Sequence, residues 1–457
     1  MLLYIVALVV ITTVFFAHAL PVVFMLMGII EAIGFFYFAN ILTRKWANYS
    51  DKKFKKKLFQ NALIIRLVWM LFAYVFFSYM YGKPFEFEAA DSQGYHGAGE
   101  WISTLLSNGD GIQPFLKTLD GRYSDAGYAI YLGVQYYFTG NSILIARLLK
   151  VLYGAIMCVL IYKLAGRTFG GDVGRMAAIF CMIAPNLIYY TGLHTKETEM
   201  VLLTVLFVER SDLMLRNKNF NFVEIAPPIF IAAILFTLRT VLGATALFAL
   251  FTALVFSSTK VVGWGKRIIL IVWVLVTVGY FIGGSISTEV EAVWKDRGNN
   301  QKESMAYRSV QAGGNKFAKF ASTAIFAPLI FVIPFPAIVS TPGQDNSQMI
   351  NGGNYVKNIL AFFVFFALFW VIKNGKWREY TLIGAFTIGY LAVIAMSSFA
   401  QAERFHQPAY PFLLIFAAFG ISKMTNKDKK YFTWYISVLF IALIAWSWIK
   451  LAGKGLI

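Results

Sequence analysis

The chain has 457 residues, of which 58% are hydrophobic, 17% aromatic and only 14% charged, with a formal net charge of +18. Soluble globular domains carry roughly a quarter charged residues, so this composition excludes an ordinary soluble enzyme or binding module. Apolar stretches of about twenty residues, enough to cross a hydrocarbon core as a helix, recur from end to end, and residues 1–457 read as a single transmembrane domain.

In chain order the predicted spans are 2–18, 20–43, 60–81, 143–165, 174–192, 198–215, 222–239, 241–258, 267–284, 358–373, 380–399, 409–424 and 431–449, thirteen crossings of an all-α polytopic membrane protein. Residues 1–18 have no basic leader or small-residue cleavage site and a second span follows at once, so they are read as a retained helix within an N-terminal hairpin over 1–44. The apolar stretch 320–340 contains Pro328, Pro334 and Pro336, which favours a bent or re-entrant hairpin over a straight span. Cys158 and Cys181 lie within apolar stretches without metal-type spacing and read as small core residues.

The loops divide by charge. Six that fall on one side by parity, 44–57, 163–175, 210–218, 260–267, 373–378 and 423–430, hold 23 of the 41 Lys and Arg residues. The positive-inside rule makes that side, and the N-terminus, cytoplasmic, and the basic excess then requires no nucleic-acid partner. On the other side the first long loop, 83–141, contains Glu86, Glu88, Asp91, Glu100, Asp110, Asp120 and Asp125 against three basic residues. A second outer region, 285–357, is polar and of mixed charge apart from the apolar hairpin. Within the first loop, Ser92–Ser107 is predicted as a short amphipathic surface helix with Trp101, Leu105 and Leu106 as its apolar contacts.

On this topology Asp91, His96, Glu100, Asp120, Arg122, Asp125, Arg147, His194, Lys196, Glu197, Arg239, Arg404 and His406 fall at or beyond the outer ends of helices. Acids beside cations suit transfer from a phosphorylated donor: a carboxylate accepts the proton of an attacking hydroxyl while Arg, Lys or His stabilises charge on a departing phosphate. Each residue also has a plainer reading. Asp91 suits a helix N-cap, Asp120 and Asp125 suit turn acids around Gly121-Arg122-Tyr123, and Glu100 suits the polar face of the surface helix. Arg239, isolated between apolar stretches, needs a partner or a path to the headgroups. Arg404 and His406 open a helix whose amides favour an anion, although Glu403 is positioned to pair with Arg404. His194-Thr195-Lys196-Glu197 places a histidine, a cation and an acid in one helix junction.

Four stretches then carry a resemblance: Asp91-Ser-Gln-Gly-Tyr95-His96; Asp125-Ala-Gly-Tyr-Ala-Ile-Tyr131 leading into Asn141-Ser-Ile-Leu-Ile-Ala-Arg147; Ile188-Tyr-Tyr-Thr-Gly-Leu-His194-Thr-Lys-Glu197; and Glu403-Arg404-Phe-His-Gln-Pro408. In order and in position relative to the helices they resemble the polytopic C-type glycosyltransferases, the protein mannosyltransferase-like and aminoarabinose transferase-like enzymes that use polyprenyl-phosphate sugars. The resemblance implies a fold of that type in a bacterial inner membrane, and inverting transfer of a sugar from a polyprenyl-phosphate-linked donor to a lipid-linked or surface glycan acceptor outside the cytoplasm. Carried onto this chain, it makes Asp91 the base or, with a divalent cation such as Mg or Mn, a metal ligand, with Glu100, Asp120 or Asp125 as a second carboxylate. His194, Lys196, Arg239, Arg404 and His406 would face the donor phosphate, and Tyr95, His96, Asp120, Arg122 and Glu197 would contact the acceptor or support the others. The chain departs from the family pattern in having its acidic loop after the third helix and Asp91 followed by Ser92 rather than a second acid. A polymerase or ligase using a diphosphate-linked oligosaccharide, and a flippase for a lipid-linked sugar, are the rival expectations.

Overall fold

The computed structural model describes residues 2–86, 90–119, 124, 126–217, 222–282, 338–340, 351–395, 403–453 and 455–457. Seventeen α-helices carry these residues: α1 Leu2–Val14, α2 Val22–Lys45, α3 Asp51–Tyr81, α4 Ala90–Ser107, α5 Gln113–Thr118, α6 Ala126–Thr139, α7 Ile143–Phe169, α8 Gly171–Ile183, α9 Pro185–Thr191, α10 Glu197–Arg216, α11 Phe222–Leu238, α12 Thr240–Phe256, α13 Trp264–Ile282, α14 Asn351–Lys373, α15 Thr381–Ala395, α16 Tyr410–Lys423 and α17 Lys430–Gly453. The described part is therefore all-helical apart from one isolated bridge between Ala19 and Val339. That bridge holds the end of the predicted 320–340 hairpin against the α1–α2 turn; the rest of the hairpin lies outside the described residues.

Five helices, α2, α3, α7, α14 and α17, are each long and apolar enough to cross a membrane. Helices α8 and α9, bent by 50° at their junction, make a sixth candidate if taken as one span, and α1, α11, α12 and α15 are shorter apolar helices. The chain thus has the helices of an integral membrane protein: five of the thirteen predicted crossings, or six with 174–192 on the bent pair, lie on helices of this length and apolarity, and residues 283–284 and 396–399 of two others lie outside the described residues.

The side chains on α2 show why water is the wrong solvent. Leu26, Ile30, Ile33, Tyr37 and Ile41 stand exposed along one face, while Gly28, Ala32 and Ala39, with Met25 and Phe35, are buried on the other. Large apolar groups outside and several small ones inside are what helices packed in lipid require, because close backbone approach replaces the hydrophobic drive. At Gly28 a Cβ would come within 2.7 Å of Tyr355, and at Gly420 it would collide with the Phe363 carbonyl, so these two glycines hold α14 tightly between α2 and α16.

The α8–α9 bend follows from Pro185, which cannot supply the N–H that the Cys181 carbonyl would receive in a continuous helix. Arg66, fully buried on α3, supplies the donors instead: its Nη2 donates to Cys181 O at 2.9 Å and its Nη1 to Met182 O at 3.1 Å. Leaving such carbonyls without a donor costs about 1–3 kcal/mol each.

All six basic loops meet at one end of the bundle. Arg175 donates to the Trp46 and Tyr49 carbonyls, Arg167 pairs with Asp212 at 2.6 Å and Glu209 at 3.2 Å, and Arg216 reaches the Glu379 carbonyl. Ser258 N donates to Arg378 O, Lys266 to the Asn217 carbonyl, and Lys376 and Lys423 both lie over the Trp370 ring. The grouping expected from parity is therefore the spatial grouping.

One expectation needs amending. The first outer loop contains, besides the predicted surface helix, the short α5 and the fourteen-residue α6. Helix α6 packs closely on α4, because Gly99 and Gly133 leave no Cβ between them; one at Gly99 would lie 2.9 Å from Leu132.

Candidate active site

At the end opposite the basic loops, four segments converge: the start of α4, the α9–α10 junction, the α11–α12 junction, and a 3-10 turn at Glu403–Ala409 that leads into α16. Three of the helices, α4, α10 and α12, present their N-termini here, where unsatisfied amides favour negative charge.

Asp91 lies in the first turn of α4, and Arg404 Nη1 donates to its Oδ2 across 313 residues of sequence. Both side chains keep solvent access, 50% for Asp91 and 38% for Arg404, so a ligand can reach either. The Arg404 guanidinium sits 5.0 Å from the centre of the Phe405 ring and that of Arg239 4.2 Å from the same ring. Arg239 also donates to the Tyr390 hydroxyl at 3.4 Å, and that hydroxyl donates to the Phe405 carbonyl at 2.9 Å. Arg239 has an extended backbone, φ −167°, which ends α11 and starts α12. The break frees the Leu238 carbonyl, which accepts from Lys196 Nζ at 2.8 Å.

Lys196 lies 5.6 Å from the centre of the Tyr95 ring. Burial, then neighbouring Arg239, pushes its ammonium down to about 7, against the opposite pull of Glu197. Glu197 is buried, 2% exposed, and its Oε2 has no hydrogen-bond partner among the described residues. Burial opposes the Arg404 charge, but Glu197 and Asp91 outweigh it and raise the Arg404 pKa. Asp91, Tyr95, Lys196, Glu197, Arg239 and Arg404 thus form one electrostatic neighbourhood.

The histidines form a second group. Glu100 pairs with His96 Nε2 at 3.3 Å, His96 Nδ1 meets the Tyr136 hydroxyl at 2.8 Å, and that hydroxyl meets His194 Nε2 at 3.0 Å. With Nε2–H of His96 given to a carboxylate, its Nδ1 accepts from Tyr136, whose oxygen accepts from His194. Burial first, then Lys150 and Arg147, holds His194 well below the usual histidine range, so it is neutral. His194, expected to face the donor phosphate, is fully buried in this chain of hydrogen bonds. His406 is also buried, 7% exposed, within the 3-10 turn. Asp120, Arg122 and Asp125 lie outside the described residues.

Beneath both groups are ionic contacts that the sequence reading did not single out. Glu403 does not take Arg404 as partner: its Oε1 accepts from Lys357, from Asn186 at 2.7 Å and from Gln407 at 2.8 Å, all buried. Adjacent residues in the turn point apart, which anchors Glu403 inward and releases Arg404 toward Asp91. Lys150, buried on α7, pairs with Glu199 at 3.2 Å and donates to the Thr195 carbonyl. The available signal was a lysine isolated in an apolar run, the pattern of a buried charge that needs a partner.

The divalent cation allowed by the resemblance would take Asp91 as a ligand. Among the described residues no three His, Cys, Asp or Glu side chains are grouped so that they could hold a metal ion. Glu100 stands nine residues along α4 from Asp91, about 13.5 Å at the helical rise, and is engaged by His96, so these two carboxylates do not share an ion in this arrangement. No protein-family model, curated protein or solved structure matches the chain.

Proposed function

We propose that the protein is a membrane glycosyltransferase with thirteen crossings, a cytoplasmic N-terminus and its site outside the cytoplasm, moving a sugar from a polyprenyl-phosphate-linked donor to a lipid-linked or surface glycan. The observation that carries this reading is the Asp91–Arg404 pair, set in a group that also contains Arg239 and Lys196. Without donor, Asp91 and Arg404 neutralise one another. A donor phosphate competes for Arg404 and, once bound by Arg404, Arg239 and Lys196, leaves Asp91 as an uncompensated carboxylate beside the reacting carbon. Asp91 then takes the proton of the acceptor hydroxyl, the new glycosidic bond forms as the bond from the sugar to the phosphate oxygen breaks, and the cations carry the charge of the leaving group. Donor therefore binds before a productive acceptor.

Two guanidiniums against one ring also suit a diphosphate, and this favours the polymerase or ligase reading as the second choice. The test is transfer by the purified protein in lipid, using radiolabelled polyprenyl-phosphate sugars and a native lipid-glycan extract, with wild type beside Asp91→Asn. Loss of transfer with donor binding retained supports Asp91 as base or metal ligand. Full activity of the variant removes Asp91 and turns the assignment to the diphosphate reading. Donor binding without transfer by wild type, across acceptors, points to a flippase.

A further inference from the structure

The opposite end of the bundle holds a cavity of about 560 Å³. Its walls are apolar: Phe36 from α2, Phe180 from α8, Phe362 and Phe363 from α14, and Phe432 from α17. From Phe36 to Thr43 it follows α2 for seven residues, about 10 Å at the helical rise.

The end nearest the basic loops is polar. Lys429 lines it, exposed and with no ion-pair partner among the described residues, and Asn40 lines it beside Thr43. The Thr43 hydroxyl is buried and without a hydrogen-bond partner. Thr12, Thr191, Thr245 and Thr387 on other helices each return their hydroxyl to the carbonyl four residues back; Thr43, like Thr168, Thr195 and Thr204, does not. Arg44 and Lys45 follow in the last turn of α2, Lys423 closes α16 and Lys430 opens α17, so the mouth carries a concentrated positive charge.

We infer that this cavity is a binding site for an anionic phospholipid of the leaflet at the basic-loop end, with one acyl chain along the phenylalanine walls and the phosphate at Lys429. The unpartnered Thr43 hydroxyl and the Asn40 amide face the ester region, where an acyl carbonyl accepts their hydrogen bonds. An apolar groove alone would suit any lipid chain; the lysine and the orphaned hydroxyl at one end select a headgroup that is both anionic and hydrogen-bonding. The site is remote from Asp91 and does not depend on the transferase reading.

The experiment is native mass spectrometry of the full-length protein in detergent, titrated with dioleoyl phosphatidylglycerol or dioleoyl phosphatidylcholine, whose chains are identical. Wild type is expected to bind the anionic lipid about fivefold tighter, the effect of one lysine near a charged headgroup. Lys429→Ala, an exposed position that leaves the fold intact, should cut that preference severalfold, the remaining mouth cations lying off the cavity wall, and Thr43→Val should weaken both. Equal binding of the two lipids by wild type, or a preference unchanged in Lys429→Ala, overturns the proposal. So does displacement of the bound phosphatidylglycerol by undecaprenyl phosphate at lower concentration than by phosphatidylglycerol itself, which would assign the cavity to a polyprenyl chain.

Discussion

At the end that gathers the basic loops, Arg167, Arg210 and Arg216 close on two carboxylates, Glu209 and Asp212, each only 3% exposed. At the other end Arg404 meets Asp91 in the open, Arg239 rests on a phenyl ring and a tyrosine hydroxyl, and Lys196 donates to a backbone carbonyl. The same residue types are used in both places. In the first the acids are enclosed by cations and the ensemble fastens helices together; in the second the Asp91–Arg404 pair keeps its solvent access, and Arg239 and Lys196 are held by a ring, a hydroxyl and a carbonyl rather than enclosing an acid. A cluster of charges is a fastener or a receptor according to how completely its members satisfy one another.

This contrast can be broken most directly by exchanging the readouts. Asp91→Asn should lower transfer by about 10²–10⁴, the span of a lost general base, with no change in the thermal midpoint of the purified protein. Arg167→Ala should do the reverse. It removes the partner the two buried carboxylates share, Arg210 and Arg216 remaining on one each, and should cost about 1–3 kcal/mol in detergent unfolding, while transfer per folded molecule is kept. If Arg167→Ala abolishes transfer at full stability, or Asp91→Asn unfolds the protein, the division of labour is wrong.

Smaller effects sharpen the picture at the site. Arg239→Lys keeps the charge but loses the planar guanidinium that lies on Phe405, and should raise the donor KM about tenfold, near 1.4 kcal/mol, with kcat little altered. Lys196 provides the pH test. With its pKa lowered to about 7, the ammonium is charged below that value and discharged above it, so donor affinity should fall as pH rises from 6 to 8, by up to about tenfold. Lys196→Arg, charged throughout, should flatten the profile; a slope that survives the substitution would assign the titration to another group.

Much of the architecture was legible because crossing a membrane demands long apolar runs, and these are visible residue by residue. Helices α2, α3, α7, α14 and α17 announce themselves in this way. Helix α6 does not: it is fourteen residues rich in Tyr and Gly, and it is stabilised by its fit to α4 through Gly99 and Gly133, a property of the pair rather than of either segment. At the site, Asp91, Lys196, Arg239 and Arg404 could be gathered from sequence because each lies where an apolar run ends on the same side. Their pairing could not. Glu403 and Arg404 are neighbours in the chain, yet one turns to Lys357 and the other to Asp91, and Tyr136 joins His96 to His194 only because three separate segments bring their rings within 6.5 Å.

The interruption between α11 and α12 has a consequence for how the cations are placed. Arg239 occupies the gap in the helix, and Lys196 is tied to the carbonyl that the gap leaves exposed. The positions of the two cations therefore depend on one backbone break, the guanidinium through residue 239 itself and the ammonium through the Leu238 carbonyl. A substitution that mended the helix across this point would turn the Leu238 carbonyl back into the helical ladder and slacken both charges at once, although only one residue had changed.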